Sequence, residues 1–194
     1  ESAVAAGMTV SRRCRSRSSG ASEPARELSN SNLAAFDLRD VDAVIVNVAG
    51  CGAMLKDYPH HWHDGREAER ERFAAKVKDV HEFLDTLGLI APRGEIRRRA
   101  TYHDACHLAH AQGVRREPRQ LLDAIPGVTV APLADAEICC GSAGIFNLVQ
   151  PEMAGELGRR KVAHIADARP DVVVTSNPGC IVQIGAHARA AGHA

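Results

Sequence analysis

Asp171-Val172-Val173-Val174-Thr175-Ser176-Asn177-Pro178-Gly179-Cys180 reads as a strand, a tight turn and the approach to a helix. Three consecutive valines between polar and turn-forming residues suit a short strand buried on both faces, as in a parallel sheet. Asn177-Pro178-Gly179-Cys180 supplies the turn, and residues 181–191 carry the helix. The same order occurs upstream. Residues 41–48 are a continuous apolar run, Ala49-Gly50-Cys51-Gly52 is a glycine-flanked turn, and Ala53-Met54-Leu55-Lys56 follows. Residues 41–55 align with 170–184 without a gap, at an offset of 129. Asp42 meets Asp171, Val44 meets Val173, Gly50 meets Gly179 and Cys51 meets Cys180. A shared order of strand, Gly-Cys turn and helix points to a duplicated unit.

Working outward, strand and helix signals alternate. Residues 66–88 hold strong helix formers, with Phe73, Val77, Val80, Leu84 and Leu87 at three-to-four spacing, and Gly88 and Pro92 stop that helix. Residues 98–103 and 128–130 predict strands, 119–125 a short helix, and 151–168 a helix with Pro151 in its first turn. The expected class is α/β, as tandem Rossmann-like units with parallel sheets. Residues 1–32, including a basic serine-rich run around Cys14, show no apolar periodicity and predict little structure. Residues 33–95 then form a partial first unit and 96–194 the second.

Parallel strands bring their carboxyl ends to one edge of a sheet, the usual place for ligands. Cys180 belongs there, and two further cysteine motifs follow strand signals. Glu137-Ile138-Cys139-Cys140-Gly141-Ser142-Ala143-Gly144 holds adjacent cysteines among small residues, and Tyr102-His103-Asp104-Ala105-Cys106-His107 holds a third thiol. A disulfide between sequence neighbours is strained, so Cys139 and Cys140 do not read as a staple. The spacing Cys106-x32-Cys139-Cys140-x39-Cys180 offers four thiolates, the usual ligand count of a cubane iron–sulfur cluster. Soft thiolates also suit zinc, and unligated structural thiols are the plain alternative. Projecting the set back by 129 places Cys139 and Cys140 on Val10 and Ser11, so the first unit is incomplete. Cys51 then reads as a buried inert thiol.

Composition excludes several classes. Lys+Arg and Asp+Glu are 24 each, so no net field draws nucleic acid or an anionic membrane. No apolar run approaches the roughly 20 residues of a membrane span. Six cysteines are too sparse for a disulfide scaffold and fit metal binding in a reducing cytosol. No Ser/His/Asp order, P-loop or GxGxxG is present, and no acid–base pair or flavin site is visible, so substrate chemistry by this chain alone is not expected.

Taken together, Tyr102-His103-Asp104-Ala105-Cys106-His107-Leu108-Ala109-His110, Cys139-Cys140-Gly141-Ser142-Ala143-Gly144 and Asn177-Pro178-Gly179-Cys180 resemble the cysteine-rich CCG domain. The likeness is strongest to iron–sulfur subunits of bacterial glycolate oxidases. It extends to Asn147-Leu148-Val149-Gln150-Pro151-Glu152-Met153 and Gly50-Cys51-Gly52-Ala53-Met54-Leu55-Lys56, covering about residues 30–192. The resemblance implies an iron–sulfur electron-transfer subunit, with a [4Fe-4S] cluster on Cys106, Cys139, Cys140 and Cys180. It implies flavin-containing partner subunits, with FAD on those partners only, oxidising glycolate to glyoxylate and passing electrons towards the respiratory chain. A cytoplasmic location is implied, with contact to the inner face of the cell membrane through partners. Two alternatives stay open: a CCG redox unit acting directly on a small molecule, of heterodisulfide reductase or lactate-utilisation type, and a cluster-free docking module. The chain departs from the pattern in lacking a Cys-x2-Cys-x2-Cys run and in having Cys180-Ile181-Val182-Gln183 where many such domains have Cys-x-x-Cys.

Among the remaining polar residues, His103, His107 and His110 flank Cys106, with a supporting or structural role favoured over ligation. Asp104 reads as a group orienting an imidazole or as a helix N-cap. His60-His61-Trp62-His63-Asp64 reads as a polar surface loop, and Arg159, Arg160 and Lys161 as a solvated helix face. Gly141, Gly144 and Gly179 are candidates for close backbone approach to a cluster.

Overall fold

A computed structural model describes residues 22–142 and 144–193, so Cys14 and Ala143 lie outside the described residues. The chain divides into two compact units, up to Val80 and from His81.

The first unit begins with helix α1, Ser22–Ala34, in a stretch where the sequence predicted little structure. Its three-to-four spacing is carried by Ala25, Ser29, Asn32 and Leu33, all buried, and two of these are polar. An apolar count overlooks such a face. Strand β1, Val44–Val46, leads into helix α2, Ala49–Lys56. Helix α3, Glu67–Lys76, then runs directly into strand β2, Val77–Asp79, and the unit ends at Val80, where helix α4, Val80–Leu87, leads into the second unit.

The single helix predicted over residues 66–88 is therefore split. Val77 pairs with Val44 and Asp79 with Val46 in a parallel two-stranded sheet. Strand pairing of the β-branched Val77 outweighs its place in the helical period. Leu84 and Leu87, assigned to the buried stripe, are 41% and 66% exposed.

Leu33, Val46, Leu55, Tyr58, Phe73 and Val77 build this unit's core. Tyr58 stacks on Phe73 at 6.0 Å between ring centroids and meets Trp62 edge-on at 5.9 Å. Trp62 is buried and anchors the histidine-rich tract in the core, while His60 and His63 stay at the surface as expected. The anchor includes Arg70, fully buried, whose guanidinium donates to both Asp64 carboxylate oxygens at 2.6 and 2.9 Å and lies 5.2 Å from the Trp62 ring. An Arg fork suits such a bidentate, ring-stacked position.

In the second unit, β3 (Arg98–Tyr102), β4 (Val128–Ala131) and β5 (Val172–Val174) form a parallel sheet in the order β4-β3-β5. Ala100 is opposite Val130 on one side and Val172 on the other. Helix α5, Glu117–Asp123, lies between β3 and β4 in sequence; α6, Phe146–Val149, and α7, Pro151–Ala168, lie between β4 and β5; α8, Pro178–Ala190, closes the unit. The architecture is the expected α/β, Rossmann-like one. Helix α7 has the predicted bounds, because Pro151 sets φ at its first position and left-handed Arg169 ends it.

The duplication is visible in backbone detail. Helices α2 and α8 start at positions offset by the same 129 residues, Ala49 and Pro178. Each follows an extended residue, Val48 at φ −124° and Asn177 at φ −137°. Cys51 and Cys180 are both buried at the third helical position.

Candidate metal centre

Three segments leave the carboxyl edge of the second sheet, and each carries thiols. After β3 come His103, Asp104 and Cys106, the last just before a wide helical turn, His107–Ala111. The loop after β4 carries Cys139 and Cys140, and β5 leads through Ser176 and Asn177 into α8 with Cys180. Parallel topology alone brings these loops to a common edge.

Two glycines let them close together. Gly141 has φ +89°, and a Cβ there would lie 2.4 Å from the Ala154 carbonyl oxygen. Gly179 passes so near the cysteine loop that a Cβ would lie 2.6 Å from Ser142 Oγ. Gly144 also has a positive φ, +55°.

The four cysteines form a continuous run of contacts. Cys106 adjoins Cys139, Cys139 adjoins Cys140, and Cys140 adjoins Cys180, each near enough to perturb its neighbour's ionisation. Two of the sulfurs accept from N–H donors. Gly141 N–H donates to Cys139 Sγ at 3.3 Å and the Asn177 side-chain amide to Cys180 Sγ at 3.4 Å. The backbones of His107 and Ser142 act in the same sense on Cys106 and Cys140, favouring the thiolate.

Ionisation is divided unevenly. The bond with Cys139, burial and the neighbouring thiolate charges push the Cys106 thiol well up. Bonds with Cys139 and Cys180, then burial, push Cys140 up. The neighbouring Cys140, with the nearby His103 ring and the bond from Asn177, outweighs burial at Cys180 and brings it down to about 5. The physical reason is shared: four thiolates this close repel one another in a low dielectric. Bound metal cations offset that repulsion, and sulfur-rich donors favour soft metals.

The surroundings are polar and fixed. His103 is fully buried, with Nδ1 3.1 Å from the Ala136 carbonyl oxygen. Its Nε2 has no hydrogen-bond partner, and a nitrogen of the ring and the Cys140 and Cys180 sulfurs all lie within 4.8 Å of one another. Lys161, 1% exposed, reaches from α7 to donate to the Asp135 and Ala136 carbonyls. Burial lowers its pKa, while Asp135, Cys140, Asp104 and Cys139 act in the opposite direction. The expected solvated face therefore holds for Arg159 and Arg160 but not for Lys161. The sequence signal was present, since Lys161 continues the buried stripe of Ala154, Gly158 and Ile165.

Asp104 neither caps a helix nor orients an imidazole. Its carboxylate, 2% exposed, accepts two bonds from Arg119 at 2.7 and 2.6 Å, and Arg119 also covers the Tyr102 ring at 5.1 Å. His107 Nδ1 lies 3.6 Å from Cys106 Sγ, whereas the His110 ring bonds with Arg115 and the Glu137 carbonyl. The Gln183 amide is bonded to the Ala154 carbonyl at 3.5 Å and to His187 Nε2 at 3.3 Å. Cys51 packs in the core of the first unit.

Residues 100–185 match the family described as the cysteine-rich domain, CCG. The chain is 40% identical over 170 residues to the probable glycolate oxidase iron-sulfur subunit of Bacillus subtilis (strain 168), covering 86% of this chain and 38% of that protein. It is 35% identical over 170 residues to lactate utilization protein A of Geobacillus kaustophilus (strain HTA426), covering 86% of this chain and 70% of that protein. Similarity also extends to a fumarate reductase (CoM/CoB) polypeptide of Methanothermobacter marburgensis, at 39% over 149 residues, covering 76% of this chain and 28% of that protein. This chain thus spans well under two thirds of the first and third of these relatives.

Proposed function

The chain belongs to the cysteine-rich CCG domain family, and on that premise we propose that it is an electron-transfer module holding one [4Fe-4S] cluster on Cys106, Cys139, Cys140 and Cys180. The observation that carries this reading is the meeting of four thiols from three segments at one sheet edge, with N–H donors on Cys139 and Cys180. Hydrogen bonds to sulfur and burial are the means by which a protein sets a cluster's potential. A bound cluster supplies reversible uptake and release of an electron.

The polypeptide's own part is positional. Gly141 and Gly179 allow close approach of the loops, Lys161 anchors the Asp135–Ala136 segment, and the Asp104–Arg119 pair anchors the β3 end. Partner subunits bearing FAD, oxidising glycolate or another 2-hydroxy acid, would supply electrons that continue to a respiratory acceptor. The names of the iron-sulfur and lactate-utilization relatives support a redox assembly of this kind. Ile181 and Val182, next to Cys180, are exposed, as are Leu148 and Met153, so an approaching partner meets apolar surface on these segments.

The test is EPR of the anaerobically purified, dithionite-reduced chain. The wild type is expected to give a cluster signal that Cys140→Ser abolishes and Cys51→Ser leaves intact. A signal lost in Cys51→Ser but not in Cys140→Ser contradicts the assignment.

A further inference from the structure

We propose that His103 is a direct ligand of this centre, bonding metal through Nε2 beside Cys140 and Cys180; the inference rests on the cluster reading above. The backbone of His103 is held by the sheet, its N–H donating to the Val174 carbonyl at 2.9 Å. Its ring is fully buried and held by the Ala136 carbonyl, 3.1 Å from Nδ1. A carbonyl oxygen can only accept, so Nδ1 carries the hydrogen. In a neutral imidazole the lone pair then sits on Nε2.

The Ala136 carbonyl is itself fixed. It accepts from the Asp104 backbone N–H at 3.1 Å and from Lys161 Nζ at 3.4 Å. Nε2 is buried without a hydrogen-bond partner, and the His103 ring presents a nitrogen within 4.8 Å of the Cys140 and Cys180 sulfurs; with Nδ1 taken by the carbonyl, Nε2 is the nitrogen left for metal. A backbone carbonyl fixing one ring nitrogen while the other meets a thiol group is the arrangement that orients a metal-ligating histidine.

The four irons of a cubane are each capped by one thiolate in this reading, so His103 is a fifth donor that shares an iron with Cys140 or Cys180, giving a mixed sulfur–nitrogen donor set. His103, Cys140 and Cys180 hold the buried side, and Cys106 and Cys139, both partly exposed, complete it from the other. A neutral nitrogen donor raises a centre's reduction potential relative to thiolate ligation alone.

Pulsed ENDOR on the reduced, anaerobically purified full chain, with and without 15N-labelled histidine, tests this. The expected result is a nitrogen coupling of directly bonded strength that changes with the label, persists in His107→Gln and disappears in His103→Cys. His103→Cys is expected to retain iron and sulfide and to show a lowered potential, since a thiolate replaces the imidazole. The wild-type spectrum decides the matter even if position 103 variants fail to fold. Normal iron and sulfide with only a weak, hydrogen-bond-type nitrogen coupling overturns the histidine ligand and leaves the cluster standing, as does a strong coupling lost in His107→Gln. Absence of iron and sulfide overturns the cluster reading and this one with it.

Discussion

Gly141 and Ala154 touch backbone to backbone: a Cβ on Gly141 would lie 2.4 Å from the Ala154 carbonyl oxygen and 3.0 Å from its Cα. The first residue ends the cysteine pair and the second is in α7, so this contact seats the Cys139–Cys140 loop on the helix. Gly141→Ala meets both a rigid backbone and a left-handed φ. We expect a loss of about 1–3 kcal/mol from conformation and about 1–3 kcal/mol from overpacking, read as a lowered urea midpoint. Iron content is expected to fall in parallel.

Gly179→Ala differs in kind, because the atom it meets is the Ser142 hydroxyl, 2.6 Å from the added Cβ, while Ser142 Cβ is 3.8 Å away. Removing that hydroxyl removes the clash. Gly179→Ala is expected to reduce iron incorporation, and Ser142→Ala is expected to restore it in the double variant. Additive losses in the two single variants, without rescue, would show that the two loops are not packed as described.

Arg119→Leu leaves the nearly buried Asp104 carboxylate without its guanidinium partner. Arg119 is itself 38% exposed, so solvent screens part of the pair, and a loss of about 1–3 kcal/mol is expected. Asp104→Asn in the same chain removes the unpaired charge. A denaturation cycle is expected to show the double variant more stable than the sum of the single losses predicts.

Lys161 places a buried positive charge behind the cysteine loop, within the influence of Cys139 and Cys140. Lys161→Met keeps the length and apolar stem but removes the charge. Protein-film voltammetry is expected to find the potential lowered by on the order of tens of millivolts, since a lost cation disfavours the reduced centre. An unchanged potential with full iron content would separate Lys161 from the centre.

The parts of this architecture legible in the sequence are those fixed by local chemistry. The valine runs at β1 and β5, Pro151 at the head of α7 and the 129-residue repeat each need only neighbouring residues to be read. That the cysteine-bearing segments share one sheet edge was legible because parallel strands deliver their carboxyl ends there. What the sequence hid depends on distant partners. Val77 leaves a helical period because Val44 is there to pair with it. Trp62 is buried because Tyr58 and Arg70 pack against it, and Lys161 because carbonyls of a loop 25 residues away accept its protons. Asp104 stood beside three histidines, yet its partner is Arg119, supplied by α5. The buried, carbonyl-fixed ring of His103 likewise emerges only once β3 meets the loop after β4.

The most direct measurement is iron and acid-labile sulfide per chain after anaerobic purification and reconstitution. The account predicts about four of each, the content of one cubane cluster, with both lost in Cys140→Ser. Stoichiometric zinc without sulfide, or no metal at all, would contradict it.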